Sequence, residues 1–255
     1  MKITAFGMSD VGKVRSNNED NYVIYDVNSG QIGNIPDPVD IDEGILLLVA
    51  DGMGGAAAGE IASETVVSVS TQYIKDNFSQ KPEDIVPQAL IESHLQCHRI
   101  IQENPSYNGM GSVATLGFLS DKSLYVGQIG DSRLYLYRNK TLIQITEDQN
   151  FVSELVKIGI ITPEQAIYHP QRNAVTQAVG AMDAIVPAVN RLDLEPGDKL
   201  LFCSDGLNSM VGDIEIQIIV ESYTDLEETV QELINTANHN GGYDNITLIL
   251  AEVFS

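Results

Sequence analysis

Four aspartates in this sequence share one local pattern. Asp51 follows the apolar run Ile45 to Ala50 and precedes Gly52. Asp131 follows "YVGQIG" beside Gly130, Asp205 lies two residues past "KLLFC" and before Gly206, and Asp244 stands in "GGYDNITLIL" just ahead of an apolar run. Each taken singly is also an ordinary turn residue, because aspartate side chains bond nearby backbone. At the ends of strands that share an edge, they would form something else. Two carboxylates about 4 Å apart repel by roughly 4 kcal/mol at an effective dielectric of 20, so a cluster of them requires protons or cations. Oxygen donors without a neighbouring histidine or cysteine suit hard cations such as Mg²⁺ or Mn²⁺. A glycine beside the acid lets backbone approach a ligand and present a carbonyl oxygen. A fifth element, "VRSNNEDN", sets Arg15 four and five residues ahead of Glu19 and Asp20. It is either a local surface ion pair or a guanidinium fork for phosphate beside an acid of a metal shell.

The rest of the composition limits what such a cluster could serve. Thirty-six acidic against 14 basic side chains give a net charge of −22, which repels nucleic acid and anionic membranes. Neither is expected as a partner, and a phosphate-binding activity would need an arginine or bound cations as local compensation. A length of 255 residues at 43% apolar content fits one domain over residues 1–255. Cys97 and Cys203 lie in apolar segments and read as buried thiols rather than a disulfide. That suits a reducing compartment, so a monomer in the cytoplasm is expected. The opening "MKITAFGMSDVGKVR" has no basic stretch leading into a long apolar run, and nothing later approaches the ~20 apolar residues of a membrane span.

The elements that must position the acids follow from hydrophobic period. Residues 2–8, 21–27 and 45–50 read as strands, the last fully buried, with 28–44 as a surface loop carrying glycines, two prolines and acids. Over 58–78, Ile61, Thr65, Val66, Val69, Tyr73 and Ile74 recur at helical spacing. A second helix starts at Lys81-Pro82-Glu83-Asp84 and runs to about Gln102. "GSVATLGFL", "SLYVGQIG", "RLYLYRN" and "LIQI" predict an antiparallel meander. Residues 150–182 read as irregular and partly helical, 184–192 and 199–203 as strands, 213–221 and 225–238 as helices, and 245–253 as a closing strand. Strands segregated from helices predict an α+β fold of antiparallel sheets covered by helices.

Taken in order and with their separations, "RSNNED", "VADGMGG", "GDSR", "CSDGL" and "GGYDNIT" resemble the motifs of the bacterial branch of metal-dependent Ser/Thr protein phosphatases, the protein phosphatase 2C family. "GMGSVATLGFL" and "HPQRNAVTQAVG" extend the resemblance over essentially the whole chain. It implies a β-sandwich of two antiparallel sheets flanked by pairs of antiparallel helices, with a flap at about 151–172. It also implies a phosphoserine and phosphothreonine phosphatase that uses Mg²⁺ or Mn²⁺, acting on phosphorylated substrates of a Ser/Thr kinase. On the matching residues, Asp51 would bridge two cations and the attacking water, the Gly52 carbonyl would serve the second cation, and Asp205 and Asp244 would complete the first. Asp131 matches the acid of a third, weaker metal, shared with Asp205. Asp20 would hold metal-bound water, Glu19 and Asn245 would support the shell, and Arg15 would bind phosphate.

Two departures stand out. Some family members carry a histidine near the Asp-Gly turn as a general acid, where this chain has Met53 and Ala56. Many read Asp-His-Ser where this one has Asp148-Gln149-Asn150. His94 and His98, four apart on a helix, could bind zinc but lack a well-placed acid. Arg133 reads as a turn anchor beside Asp131 rather than a substrate contact. The rival readings are a silent phosphoprotein-binding relative, a small-molecule phosphatase and a Ca²⁺ module. Retention of Asp51, Asp205 and Asp244 argues against the first, and the Arg15 motif argues against the last.

Overall fold

A computed structural model describes residues 1–42, 44–54 and 58–255. Its strands are β1 (Lys2–Asp10), β2 (Asn21–Asp26), β3 (Ile35–Asp40), β4 (Ile45–Met53), β5 (Gly111–Ser120), β6 (Ser123–Ile129), β7 (Arg133–Arg138), β8 (Thr141–Gln144), β9 (Ala188–Asp193), β10 (Lys199–Cys203) and β11 (Ile246–Phe254). The α-helices are α1 (Ala58–Asn77), α2 (Pro82–Glu103), α3 (Phe151–Lys157), α4 (Pro163–Ile167), α5 (Asp205–Asn208), α6 (Asp213–Ser222) and α7 (Leu226–His239). One sheet runs β3-β1-β11-β10-β7-β8 and the other β2-β4-β5-β6-β9. Every pairing between these strands is antiparallel.

Side-chain alternation builds the layers. In β4, Leu46, Leu48 and Ala50 pack in a cluster with α1 and α2, while Ile45, Leu47 and Val49 pack between the sheets. Alternate side chains of a strand point to opposite faces, so burial on both faces explains the uninterrupted apolar run. β11 does the same on the other sheet: Ile249, Ala251 and Val253 face the partner sheet, and Leu248 and Leu250 face α6 and α7. The result is four layers, helix pair, sheet, sheet and helix pair, as the resemblance implied. Among the described residues no helix is long and apolar enough to cross a membrane.

Three expectations need correction and one needs extending. The proposed loop 28–44 contains β3, an edge strand that tolerates Pro36 and Pro38 because its outer side has no ladder to complete. The meander is split: β5 and β6 belong to one sheet, β7 and β8 to the other, and the chain crosses between them at Gly130-Asp131-Ser132. The strand expected at 184–192 begins at Ala188. On α1 the expected stripe does face inward through Thr65, Val66 and Ile74, and the buried face extends to the small Ala62, Ser63 and Ser70, with Val69 half-buried. Ser70 Oγ lies 3.0 Å from Ser93 Oγ of α2, so a polar contact fastens the two helices at close range.

Between the sheets, Gly117 of β5 faces the ring of Phe202 of β10, which occupies the space a Cβ at position 117 would need. Gly117→Ala therefore overpacks this layer and lowers unfolding free energy by about 1–3 kcal/mol. Combining it with Phe202→Leu restores part of that loss, giving a double mutant more stable than the sum of the single effects. Urea denaturation of the three variants measures the coupling.

Candidate active site

Asp51 is the next residue of β4 on the inter-sheet face after Ile45, Leu47 and Val49, so the strand aims its carboxylate into the open end of the sandwich. At this end the layer between the sheets changes from apolar to polar. Ser9 Oγ and Thr247 Oγ1 are 2.6 Å apart, the Thr247 N–H donates to Ser204 Oγ at 3.0 Å, and Ser204 Oγ donates to the Asp20 carboxylate at 2.7 Å. The ends of β1, β10 and β11 thus form a hydroxyl ladder that orients Asp20.

Close backbone packing brings the remaining pieces together. The Gly52 N–H donates to the Glu19 carbonyl at 3.1 Å, and a Cβ on Gly52 would collide with the Glu19 and Gly59 carbonyl oxygens. Gly206, next to Asp205 at the start of α5, likewise lies against the Asn245 carbonyl with no room for a Cβ. Asn245 is the hub of the N-terminal segment. Its Oδ1 accepts from the Glu19 N–H at 2.8 Å, and its Nδ2 donates to the Val11 and Asn17 carbonyls, each at 2.9 Å. Arg15 is thereby carried to Asp244, where Nη2 donates to Oδ2 at 2.7 Å.

Asp131 sits where the chain crosses between sheets, and the residues that departed from the family pattern hold it there. Gln149 Oε1 accepts from the Gly130 N–H at 2.7 Å, and Asn150 Nδ2 donates to Asp131 Oδ2 at 3.3 Å. Asp148 takes Arg133 in a two-pronged pair at 2.8 and 2.6 Å, and Arg133 Nη1 also donates to the Tyr135 hydroxyl. Arg133 is thus a turn anchor. His94 and His98 each bond backbone: the Gly180 N–H donates to His94 Nδ1, and His98 Nε2 bonds the Met182 carbonyl.

A cavity of about 290 Å³ opens at this end, and every predicted site residue except Asp20 lines it. Asp20 lies behind, on the hydroxyl ladder. Asn173 and Val175, from the end of the flap region, close one wall, and Met53 and Val113 add apolar surface. Asn173 lies within the motif "HPQRNAVTQAVG", but its type alone gave it no role. Desolvation raises the carboxyl pKa values: Asp20 and Asp131 to about 6, Asp205 to about 8, and Asp51 well above the usual range. Repulsion is the next cause for Asp51 and Asp205, since each is pushed further by the other acids of the group. Among the described lining residues Arg15 is the one cation.

This donor set fits hard divalent cations: it is all oxygen, it concentrates negative charge under desolvation, and one half-exposed arginine cannot balance it. Among the described residues no three His, Cys, Asp or Glu side chains are already gathered into a cation cage. Arg15 Nη2 bonds Asp244 and Ser204 Oγ bonds Asp20, so two of the acids already have hydrogen-bond partners of their own.

The protein phosphatase 2C model matches residues 39–251. Protein phosphatase PhpP of Streptococcus pneumoniae is 38% identical over 252 residues, covering 96% of this chain and 96% of that protein. The chain belongs to the protein phosphatase 2C family. Among solved structures, the Mycobacterium tuberculosis serine/threonine phosphatase PstP/Ppp superposes with a TM-score of 0.87 at 32% identity, covering all of both chains. The PstP catalytic domain in complex with two manganese ions gives 0.84 at 31% identity, covering 100% of this chain and 99% of that one. The family model begins beyond Arg15, Glu19 and Asp20, whereas the match to PhpP covers 96% of this chain.

The raised carboxyl pKa values have a measurable consequence. Unfolded aspartates titrate near ~4, while the folded, metal-free protein keeps protons on Asp131 to about 6 and on Asp205 to about 8. Between those limits the folded state binds more protons, so stability falls as pH rises from about 4 towards 8. In EDTA the protein is expected to melt at lower temperature at pH 8 than at pH 6. Asp205→Asn should raise the melting temperature at pH 8 and flatten the slope, by about 2–4 °C per kcal/mol relieved. Thermal melts across this range test it; a melting temperature that climbs with pH in EDTA contradicts the assignment.

Proposed function

We propose that this cavity hydrolyses phosphoserine and phosphothreonine in proteins, with Mg²⁺ or Mn²⁺ held by Asp51, the Gly52 carbonyl, Asp205 and Asp244. A third, weaker cation belongs to Asp131. The observation that carries this reading is the convergence of strand-end carboxylates and one arginine on a single cavity. Divalent cations bound there would acidify an attacking water and neutralise charge during in-line displacement at phosphorus. Phosphoryl transfer is mostly positioning and electrostatics, so the chain needs no Ser, Cys or His nucleophile.

The protein's own residues supply the positioning. Asp51 is fixed by a strand buried on both faces, and Ser112 Oγ donates to its carbonyl at 2.9 Å. Ser204 orients Asp20, the acid assigned to hold water at the edge of the cation shell. The Arg15 fork has five N–H donors, so its bond to Asp244 leaves donors for phosphate oxygens at the cavity mouth. Glu19 and Asn245 act at one remove, by locking the Arg15 segment to β4 and β11.

Among the described residues no histidine lines the cavity, where Met53 forms part of the wall. Ala56, the other position at which a proton donor was considered, lies outside the described residues. With no side-chain acid for the leaving alkoxide, turnover should favour good leaving groups. Rates across substituted phenyl phosphates and an alkyl phosphate should fall steeply with leaving-group pKa; a flat series under rate-limiting chemistry refutes it.

The proposed setting is a single catalytic domain acting as a monomer in the cytoplasm on substrates of a Ser/Thr kinase. Two buried free thiols support the reducing compartment, each with its pKa pushed up to about 12 by burial. The net charge of −22 supports the absence of nucleic-acid and membrane partners. Hydrolysis of p-nitrophenyl phosphate and a phosphothreonine peptide, with Mn²⁺ or EDTA, tests the whole reading. Turnover should require the cation, Asp205→Asn should lower kcat by roughly 10² or more, and Arg15→Ala should act mainly on kcat/KM. Cation-independent turnover, or full activity in Asp205→Asn, would sink it.

A further inference from the structure

Beside the proposed catalytic cavity lies a second, larger one of about 800 Å³, running between α3–α4 and the segment from α5 into α6. The two share Asp131, Asn173 and Asp205 as wall residues, so they adjoin. Both walls grow directly from residues of the site. Asn150, which donates to Asp131, also caps α3 by accepting from the Ser153 N–H at 3.0 Å, and α5 starts at Asp205 itself.

The chemistry of this groove differs from that of its neighbour. Its charged groups largely neutralise one another: Arg133 pairs with Asp148 at 2.6 Å and Lys157 with Glu147 at 2.6 Å. Besides these pairs and the site's own Asp131 and Asp205, the described lining offers a ligand the apolar side chains of Val156, Ala166, Ile167 and Met210, with Arg172 as its remaining cation. Ile167 is 63% exposed although large and apolar. Covering an exposed apolar side chain beside a reaction centre with another apolar group is favourable.

We infer that this groove takes the stretch of phosphoprotein flanking the phosphoresidue and selects an apolar side chain there. The inference rests on the phosphatase reading above and names its substrate class: phosphorylated segments carrying Leu, Ile, Val or Met near the phosphoresidue. The shared wall of Asp131, Asn173 and Asp205 decides between occupants, because a chain whose phosphate lies among the aspartates must leave through a neighbouring opening, and this one adjoins them.

The test uses phosphothreonine peptides that differ at one position among the three on either side of the phosphoresidue, as Leu, Ala or Glu. Burial of the extra methylenes of Leu over Ala should raise kcat/KM by about tenfold at one position or more. Ile167→Asp, at an exposed site on a helix held by its own Thr162–Gln165 capping box, should abolish that preference. It should leave p-nitrophenyl phosphate turnover unchanged, because that ligand has no flanking chain. Equal rates for Leu and Ala at all positions overturn the inference while leaving the phosphatase reading intact. So does a preference for Glu, which would point to Arg172 on the groove wall instead. Absence of cation-dependent turnover of any phosphate ester by the unmutated protein overturns both.

Discussion

Negative charge held at the open end of the inter-sheet layer is the constraint on which the rest of this structure depends. Over most of its depth that layer is ordinary apolar packing, Ile3, Leu47, Phe202 and Ile249 from the two sheets. At one end the same positions become serine, threonine and aspartate, and desolvation raises the carboxyl pKa values instead of stabilising a core. A group of acids of this kind is unstable alone. It persists because the layers on either side are large and dry, and because cations are the proposed counter-charge. The electrostatic strain and the sandwich are therefore parts of one arrangement: the apolar part supplies the stability that the acidic end lowers.

The route of the chain serves that end. Asp51 and Asp131 come from strand ends of one sheet and the crossing that leaves it, Asp205 and Asp244 from the other. The crossing at Gly130-Asp131-Ser132 is decisive, since a continuous meander would have kept β7 beside β6 and left the acid on one sheet's rim. It is held by three side chains from one short segment. Asp148 fixes Arg133, Gln149 receives the Gly130 N–H, and Asn150 reaches Asp131. Asn245 does the equivalent for the N-terminal segment, so that a loop, not a strand, can present Arg15.

Much of this was legible in the sequence because it is local. The run Ile45 to Ala50 announces a strand buried on both faces, and Asp-Gly after it announces a tight approach, which Gly52 makes to Glu19 and Gly59. The aspartates were recognisable by position relative to strands, and the family motifs assembled them in order. The misses were of long-range pairing. Nothing in "RLYLYRN" says whether it pairs with the strand before it or with "KLLFC", yet the register places Leu134 opposite Phe202. Pro36 and Pro38 concealed an edge strand because local propensity disfavours it while a free edge permits it. The helical period of α1 gave its serines no role, although Ser63 and Ser70 are buried and Ser70 meets Ser93 of α2. The roles of Gln149 and Asn150 could not be read at all, since each depends on a partner 19 residues away across a turn.

The same physics separates what is fixed from what is free to vary. The acids are carried by strands whose side chains are fully buried on both faces, so their placement is set by a core that tolerates little change. The walls of the adjoining groove are short helices of seven and five residues. They are too short to be stable by propensity and are held by side-chain caps at Asn150 and Thr162. Ile167, an outward residue of the second that lines the groove, is exposed. Substitution there costs the fold almost nothing and changes what the groove can touch. A chemistry that demands an unvarying electrostatic centre is thereby joined to a recognition surface that can diverge. They are joined at Asn150, which bonds an aspartate of the first and caps the opening helix of the second, and at Asp205, where α5 begins.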